Sequence, residues 1–149
     1  MSTKEAEKMQ SRYSRQMVLD LIGKKGQQML KQSHAVVVGC GALGTVIANN
    51  LVRAGIGAIT IIDRDIVELN NLQRQILFDE TDVGQPKASV AAGKLSKINS
   101  EVKITPLIKD LDNHNIEKTI PQADVICDAT DNIYIRMIIN DYCIKNKIP

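Results

Sequence analysis

The chain has 149 residues, 44% hydrophobic and 24% charged, a composition that excludes a disordered or fibrous protein and leaves one globular domain able to bury a core. Its 19 basic and 17 acidic residues give a net charge of +2, too near balance to argue for nucleic acid or an anionic membrane surface as the partner. With no Trp and one Phe there is little to stack on bases, and Cys40, Cys127 and Cys143, scattered and without a C-x-x-C pair, form neither a disulfide framework nor a zinc site.

The start, Met1-Ser2-Thr3-Lys4-Glu5-Ala6-Glu7-Lys8, is charged and lacks the apolar stretch of a signal peptide, and nowhere is there a run of about 18 apolar residues. A cytoplasmic protein is the expectation. Residues 12–32 carry apolar positions at helical spacing, among them Met17, Leu21, Ile22, Met29 and Leu30, and Gly23 and Gly26 divide them into two short helices. This segment, residues 1–32, is read as a helical arm ahead of a domain formed by residues 33–149.

The domain begins with the β-branched run Ala35-Val36-Val37-Val38, then Gly39-Cys40-Gly41-Ala42-Leu43-Gly44, then a helical pattern to about Ala54 that Gly55 and Gly57 close. Ala58 to Asp63 is a second strand, so a parallel βαβ unit with a right-handed crossover is expected. Pro86 fits the first position of a helix running to about Asn99, Val102 to Ile108 a third strand, and Asn115 to Thr119 a short helix. Ala123 to Asp128 is a fourth strand and Asn132 to Lys145 a last helix. The whole predicts a doubly wound, mostly parallel α/β sheet with helices on both faces. A fifth strand should begin at Ile148-Pro149, so the chain reads as the front piece of a larger α/β domain.

Gly39-x-Gly41-x-x-Gly44 follows a strand, opens a helix, and has an acid, Asp63, about 20 residues on, the setting of a dinucleotide-binding fingerprint. Glycines admit phosphates to the backbone, the helix N-terminus offers free N–H groups, and a carboxylate at the strand tip accepts ribose hydroxyls. The same loop serves NAD, FAD, S-adenosylmethionine and ATP users. Cys40, at that helix N-terminus, is either a thiol of lowered pKa or a small packed residue.

The polar stretch from Asp63 through Arg64, Asp65, Asn71, Arg74 and Gln75 to Gly84-Gln85-Pro86-Lys87 has no purpose in a simple dehydrogenase unit. Lys87 falls in a first helical turn, where a cation opposes the dipole, so an anion such as a triphosphate is the expected partner. Taken together, Arg12-Tyr13-Ser14-Arg15-Gln16, the glycine loop, Asp63 to Asp65, Asn71-Leu72-Gln73-Arg74-Gln75, Gly84-Gln85-Pro86-Lys87-Ala88 and Asp128-Ala129-Thr130-Asp131-Asn132 resemble, in order and spacing, the ThiF/MoeB/HesA family of adenylating enzymes, relatives of the ubiquitin-activating enzymes. The resemblance runs from Arg12 to Pro149.

That resemblance implies a Rossmann-like ATP-binding domain that adenylates the C-terminal carboxylate of a small ubiquitin-like sulfur-carrier protein (ThiS/MoaD-like) and releases pyrophosphate. It implies ATP and Mg²⁺ as the groups bound: Asp63 on the ribose, Asn71, Arg74 and Lys87 on the phosphates, Asp131 on the metal. Gly39, Gly41, Ala42, Gly44, Asp65, Gln75 and Asn132 would line the nucleotide. Ala42 stands where the family commonly has glycine. Arg15 resembles an arginine finger that reaches the nucleotide of a partner subunit, which implies a homodimer. The family's zinc-binding C-x-x-C pairs and its sulfur-handling cysteine would fall beyond Pro149; neither nucleic acid, outside the tRNA-modifying members, nor a membrane is implied.

Plainer readings stand beside these. Asp131 and Asn132 would serve as helix caps, Arg74 and Lys87 as ordinary solvated cations, and Arg15 as a surface residue. In the nucleotide reading Arg74 and Lys87 are expected to be exposed until nucleotide binds, so that replacing either with alanine abolishes triphosphate recognition with little change in folding. His34 reads as a strand-start residue and His114 as one leading into a helix. An NAD-dependent oxidoreductase and a catalytically silent partner subunit of a heterodimer also remain open.

Overall fold

In the computed structural model, which describes residues 11–149, the strand order follows from where apolar side chains can be buried. The charged start read above lies outside those residues. β1 (His34–Val38) is apolar on both sides and sits inside the sheet: Ala35 and Val37 face one core, Val36 and Val38 the other. It pairs in parallel with β2 (Ala58–Ile62) on one side and with β4 (Val125–Asp128) on the other, and β2 pairs with β3 (Lys103–Leu107). The order is therefore β3-β2-β1-β4. Pro106 lies in β3, an edge strand, where a residue without an N–H leaves no ladder bond unmade.

Helices cover both faces. α1 (residues 11–17) and α2 (Gly23–Gln32) precede the sheet; α3 (Ala42–Ala54) and α4 (Lys87–Ile98) pack on one face through Ala48, Val52, Ala88, Ala91 and Leu95. α5 (Ile116–Thr119) and α6 (Ile133–Asn146) cover the other through Ile116, Ile138 and Ile139. Burying each of the largest of these, such as Ile59, Ile61 or Leu95, contributes about 2 kcal/mol. The doubly wound α/β reading is thus what the chain forms. Among the described residues no helix is long and apolar enough to cross a membrane.

Several boundaries differ from the sequence reading by a residue or two, and at two of them the backbone gives the reason. Gly26 does not interrupt a helix but lies within α2, whose start is set instead by Gly23 at φ +53°. Pro86 is the cap of α4 and not its first residue, because its ψ of 126° is extended; the helix begins at Lys87. At the far end, the Pro149 carbonyl accepts the Ile126 N–H at 3.0 Å, along the side of β4 that β1 does not use, where the fifth strand was expected to begin.

The two helices ahead of the sheet are fastened by specific contacts. Tyr13 is buried, its ring seated where a side chain on Gly55 would stand (an added Cβ would lie 2.5 Å from its Cζ), and its hydroxyl accepts from Asn99 Nδ2 at 2.8 Å. Gln16 and Gln27 both donate to the Ala54 carbonyl, at 2.8 and 2.9 Å. Gly55 therefore does more than end α3.

Candidate nucleotide site at the strand-order switch

From β1 the chain moves outward to β2 and β3, then returns to place β4 on β1's other side, so the loops after β1 and β4 diverge and leave a crevice between them. A cleft of about 520 Å³ opens there. It is lined by Gly39, Gly41, Ala42, Asp63, Asp65, Asn71, Arg74, Gln75, Lys87, Asp131 and Asn132. Of the residues that the resemblance assigns to the site, Gly44 and Arg15 are outside it.

The three glycines do different things. Gly39 has φ +91° and lies so close to the β4 loop that a Cβ would meet the Ala129 carbonyl at 2.8 Å. Gly44 lets α3 cross against the loop, since a Cβ there would be 1.9 Å from the Gly39 carbonyl. Gly41 has nothing nearer to an added Cβ than Gln75 Nε2 at 3.7 Å, so its role is to leave the cleft open. Gly41 caps α3 without a side chain, the first acceptor inside the helix serves Thr45, and no acidic residue occupies the first turn. The N–H groups of Ala42, Leu43 and Gly44 therefore have no helical acceptor.

Asp63 ties this loop to the end of β2: its carboxylate accepts the Cys40 N–H at 2.6 Å and the Asp65 N–H at 2.7 Å. Burial pushes its pKa up in spite of those two donors and of nearby Lys87. Cys40 is fully buried, and burial with the Asp63 charge beside it pushes its thiol up to about 12. It is the packed residue and not the reactive one.

Lys87 corrects an expectation. It is not exposed: only 6% of it reaches solvent, and its ammonium lies 3.1 Å from Asp65 Oδ2 while its backbone N–H donates to the Asp65 carbonyl at 2.9 Å. The cation at the helix start thus has a protein partner, itself half open to solvent. Arg74 is exposed as expected, its guanidinium resting on the Asn70 carbonyl at 3.1 Å. Asn71 is buried and occupied structurally, accepting the Glu68 N–H at 3.2 Å and donating to Asn70 Oδ1 at 2.6 Å. Gln75, also buried, leaves its Oε1 without a partner among the described residues.

At the β4 end the capping question resolves. Asn132 is the cap of α6, accepting from Tyr134 N at 2.9 Å and Ile135 N at 3.4 Å. Asp131, exposed and facing the cleft, makes no hydrogen bond or ion pair among the described residues. Nor is there, among them, any cluster of three or more His, Cys, Asp or Glu side chains able to cage a metal ion.

The sequence reading missed Lys109 and gave no role to Arg64 or Glu68, which also line the cleft. Lys109 has no partner among the described residues, while Arg64 pairs with Asp110 at 2.6 Å. For Lys109 the signal was available: in a parallel sheet all strand ends point one way, so the residues after the third strand belong beside those after the second and fourth. His34 starts β1, bonded to the Gln122 carbonyl and Thr60 Oγ1, and the His114 backbone N–H leads into α5, so neither takes part.

Arg15 is elsewhere. It is exposed on α1, whose anchors Tyr13 and Gln16 hold the C-terminal end of α3, whereas the cleft is at the N-terminal end. The 13 residues of α3 put about 20 Å between those ends, beyond the reach of one side chain.

Parallel strands, the reversal of their order and the glycine loop define a Rossmann-type α/β domain. The chain belongs to the ThiF family, which it matches over residues 13–149. It is 49% identical over 143 residues to the sulfur carrier protein ThiS adenylyltransferase of Bacillus subtilis, covering 95% of this chain and 43% of that protein. To the molybdopterin-synthase adenylyltransferase of Escherichia coli it is 40% identical over 138 residues, covering 93% and 55%. Among solved structures, the E. coli tRNA N6-threonylcarbamoyladenosine dehydratase TcdA in complex with ATP superposes with a TM-score of 0.88 at 34% identity, covering 94% of this chain and 57% of that one. The chain spans about half the length of the relatives it matches.

Proposed function

We propose that the chain is the ATP-binding part of an adenylyltransferase that activates the C-terminal carboxylate of a ubiquitin-like sulfur-carrier protein. The observation that carries this reading is the gathering of Arg74, Lys87 and the unpartnered Asp131 around a glycine loop and Asp63 in one cleft. Hydride transfer to a nicotinamide would need neither those cations nor that free carboxylate. The 49% identity to a ThiS adenylyltransferase, against 34% to the tRNA-modifying neighbour, supports a protein tail as acceptor.

The cleft suits ATP along its length. Val38, Ile62, Leu111 and Ile135 belong to one apolar cluster and give it a wall for the adenine. Asp63 retains lone pairs for the ribose hydroxyls, the buried Gln75 Oε1 awaits a donor, and Gly41 leaves the α3 amides open to phosphate oxygens. Lys87 and Arg74 neutralise the polyphosphate, and Asn71 fixes the turn that carries Arg74. Asp131 would hold Mg²⁺, an ion that takes one or two carboxylates with substrate phosphates and water and needs no protein cage, and that would draw charge from the leaving pyrophosphate.

An oxygen of the carrier's carboxylate forms a bond to the α-phosphorus, the bond from that phosphorus to the bridging oxygen breaks, and pyrophosphate departs with the electron pair, leaving an acyl-adenylate. The chain's part is positioning and neutralisation, which supply most of the rate in such transfers. Residues 1–32 form the arm of residues 33–149 in this reading, and Arg15, too far from its own cleft, serves the cleft of a second copy in a homodimer. Calorimetric titration with MgATP and with NAD⁺ tests the assignment: MgATP should bind and weaken in Asp131→Ala, and binding of NAD⁺ alone would sink it.

A further inference from the structure

We infer that Arg136 is a positioning residue for Asp131, setting the direction of the free carboxylate through the turn that follows β4; this rests on the adenylation site proposed above. The turn is held from several sides. Asp128 Oδ1 accepts the Thr130 N–H at 2.9 Å and the Thr130 hydroxyl at 2.7 Å. Asp128 Oδ2 accepts Arg136 Nε at 2.9 Å, and the other arm of that guanidinium donates to the Thr130 carbonyl at 3.0 Å. Ala129 N–H donates to the Val38 carbonyl at 2.8 Å, and Asn132 Oδ1 is taken by the first turn of α6.

One polar side chain in the stretch is left unbound, and it is Asp131, between the Thr130 carbonyl that Arg136 grips and the Asn132 cap. With no side-chain partner of its own, Asp131 takes its direction from this backbone. Arg136 stands one helical turn beyond the cap and does not line the cleft, so it acts through the turn and not on the nucleotide. Its planar fork meets a carboxylate and a carbonyl at once, a pairing that lysine's single ammonium does not reproduce. Burial works against ionisation of Asp128, yet the bonds from Thr130 and Arg136 outweigh it and hold the carboxyl below its ordinary range, as an engaged clamp requires. The same turn touches the glycine loop, through the Ala129 carbonyl beside Gly39 and the Ala129 methyl beside Gly44.

The test compares Arg136→Met, which keeps the length of the stem and loses the fork, with Arg136→Lys and Asp131→Ala, alone and combined. The first readout is amide hydrogen exchange in the free chain, independent of any nucleotide. Losing charge-assisted bonds should speed exchange at Thr130 by about tenfold in Arg136→Met, with a partial return in Arg136→Lys and no change at Val37 in the core. Unchanged exchange at Thr130 would overturn the clamp. The second readout is titration with MgATP and with ATP in the absence of metal. Arg136→Met should weaken MgATP by about the same tenfold, leave metal-free ATP alone, and add nothing in the Asp131→Ala background. An additive loss, or an equal loss of both ligands, would make Arg136 a structural residue only. Failure of the unaltered chain to bind MgATP, with the exchange result intact, would remove the adenylation reading and with it the role toward Asp131.

Discussion

Lys87 is joined to Asp65 twice, by its backbone N–H to the carbonyl and by its ammonium to the carboxylate at 3.1 Å. The pair fixes a cation at the inner side of the cleft before any ligand arrives, and a bound phosphate would share that ammonium with Asp65 or take it over.

Lys87→Met, which keeps the buried stem, should therefore fold with a loss of about 1 kcal/mol, since the partner carboxylate remains half exposed to water. Arg74→Ala, at an exposed position, should change stability by less than about 0.5 kcal/mol. Both should weaken MgATP by at least about tenfold. Thermal melts paired with calorimetry check this; a large drop in melting temperature for Arg74→Ala would show that its place on the Asn70 carbonyl is structural.

Gly44 and Gly41 should separate folding from binding. A methyl on Gly44 would stand 1.9 Å from the Gly39 carbonyl, so Gly44→Ala should cost about 3 kcal/mol or more as the loop is forced off the helix. A methyl on Gly41 meets nothing closer than 3.7 Å, so Gly41→Ala should melt within a few degrees of the unaltered protein while crowding the phosphate path and weakening MgATP. Equal melting of the two variants would contradict the division of roles.

Two carboxylates give stability opposite dependence on pH. Asp79 is lowered from 3.8 to about 2, chiefly by its bond to Lys94 and then by Thr81. A depressed carboxyl contributes stability present above its unfolded pKa and lost as pH falls through the folded value, so the Asp79 contribution should disappear between about pH 4 and pH 2. Asp63 is raised by burial, so the folded state holds its proton more tightly than the unfolded chain and its ionisation costs stability as pH rises above 3.8. Urea unfolding over a pH series should show Asp79→Asn losing ground to the unaltered protein as pH rises from about 2 to about 4, and Asp63→Asn gaining ground as pH rises above 3.8. Slopes of the same sign in both variants would refute the assignment.

Much of this site was legible because its signals are local. A β-branched run, a glycine loop and a helical pattern stand consecutively in the chain, and Asp63 follows at the next strand's end. What escaped depends on pairing between distant elements. Lys87 looked like an unsupported cation because its partner, Asp65, is 22 residues away and meets it only when Ile66 pairs with Pro86 in an isolated bridge. Lys109 carries no motif at all and enters the cleft through strand order. The seat for Tyr13 at Gly55 and the bond to Asn99 cross 42 and 86 residues, and no periodicity reports a contact of that kind.

Cys40 should behave as an inert core thiol. With its pKa pushed up to about 12 and no exposed surface, it should resist iodoacetamide in the native chain and react only after denaturation, as peptide mass spectrometry would record. Rapid native labelling at Cys40 would mean that the glycine loop opens to solvent far more often than its bond to Asp63 allows.

The placement of Arg15 leads to a complementation experiment. Because α1 is fastened to the far end of α3, Arg15 could act on a nucleotide only in another copy's cleft. Arg15→Ala should leave the melting temperature unchanged, since the side chain is exposed, and weaken MgATP; Asp131→Ala should weaken it from the other side of the same site. A mixture of the two variants should then recover tight binding, because a mixed dimer joins the intact cleft of one chain to the intact arginine of the other. With random pairing, half the dimers are mixed and one of their two sites is whole, so about a quarter of the sites should bind as in the unaltered protein. No recovery on mixing, with each variant folded, would leave Arg15 a surface residue and return the completion of the site to groups within one chain.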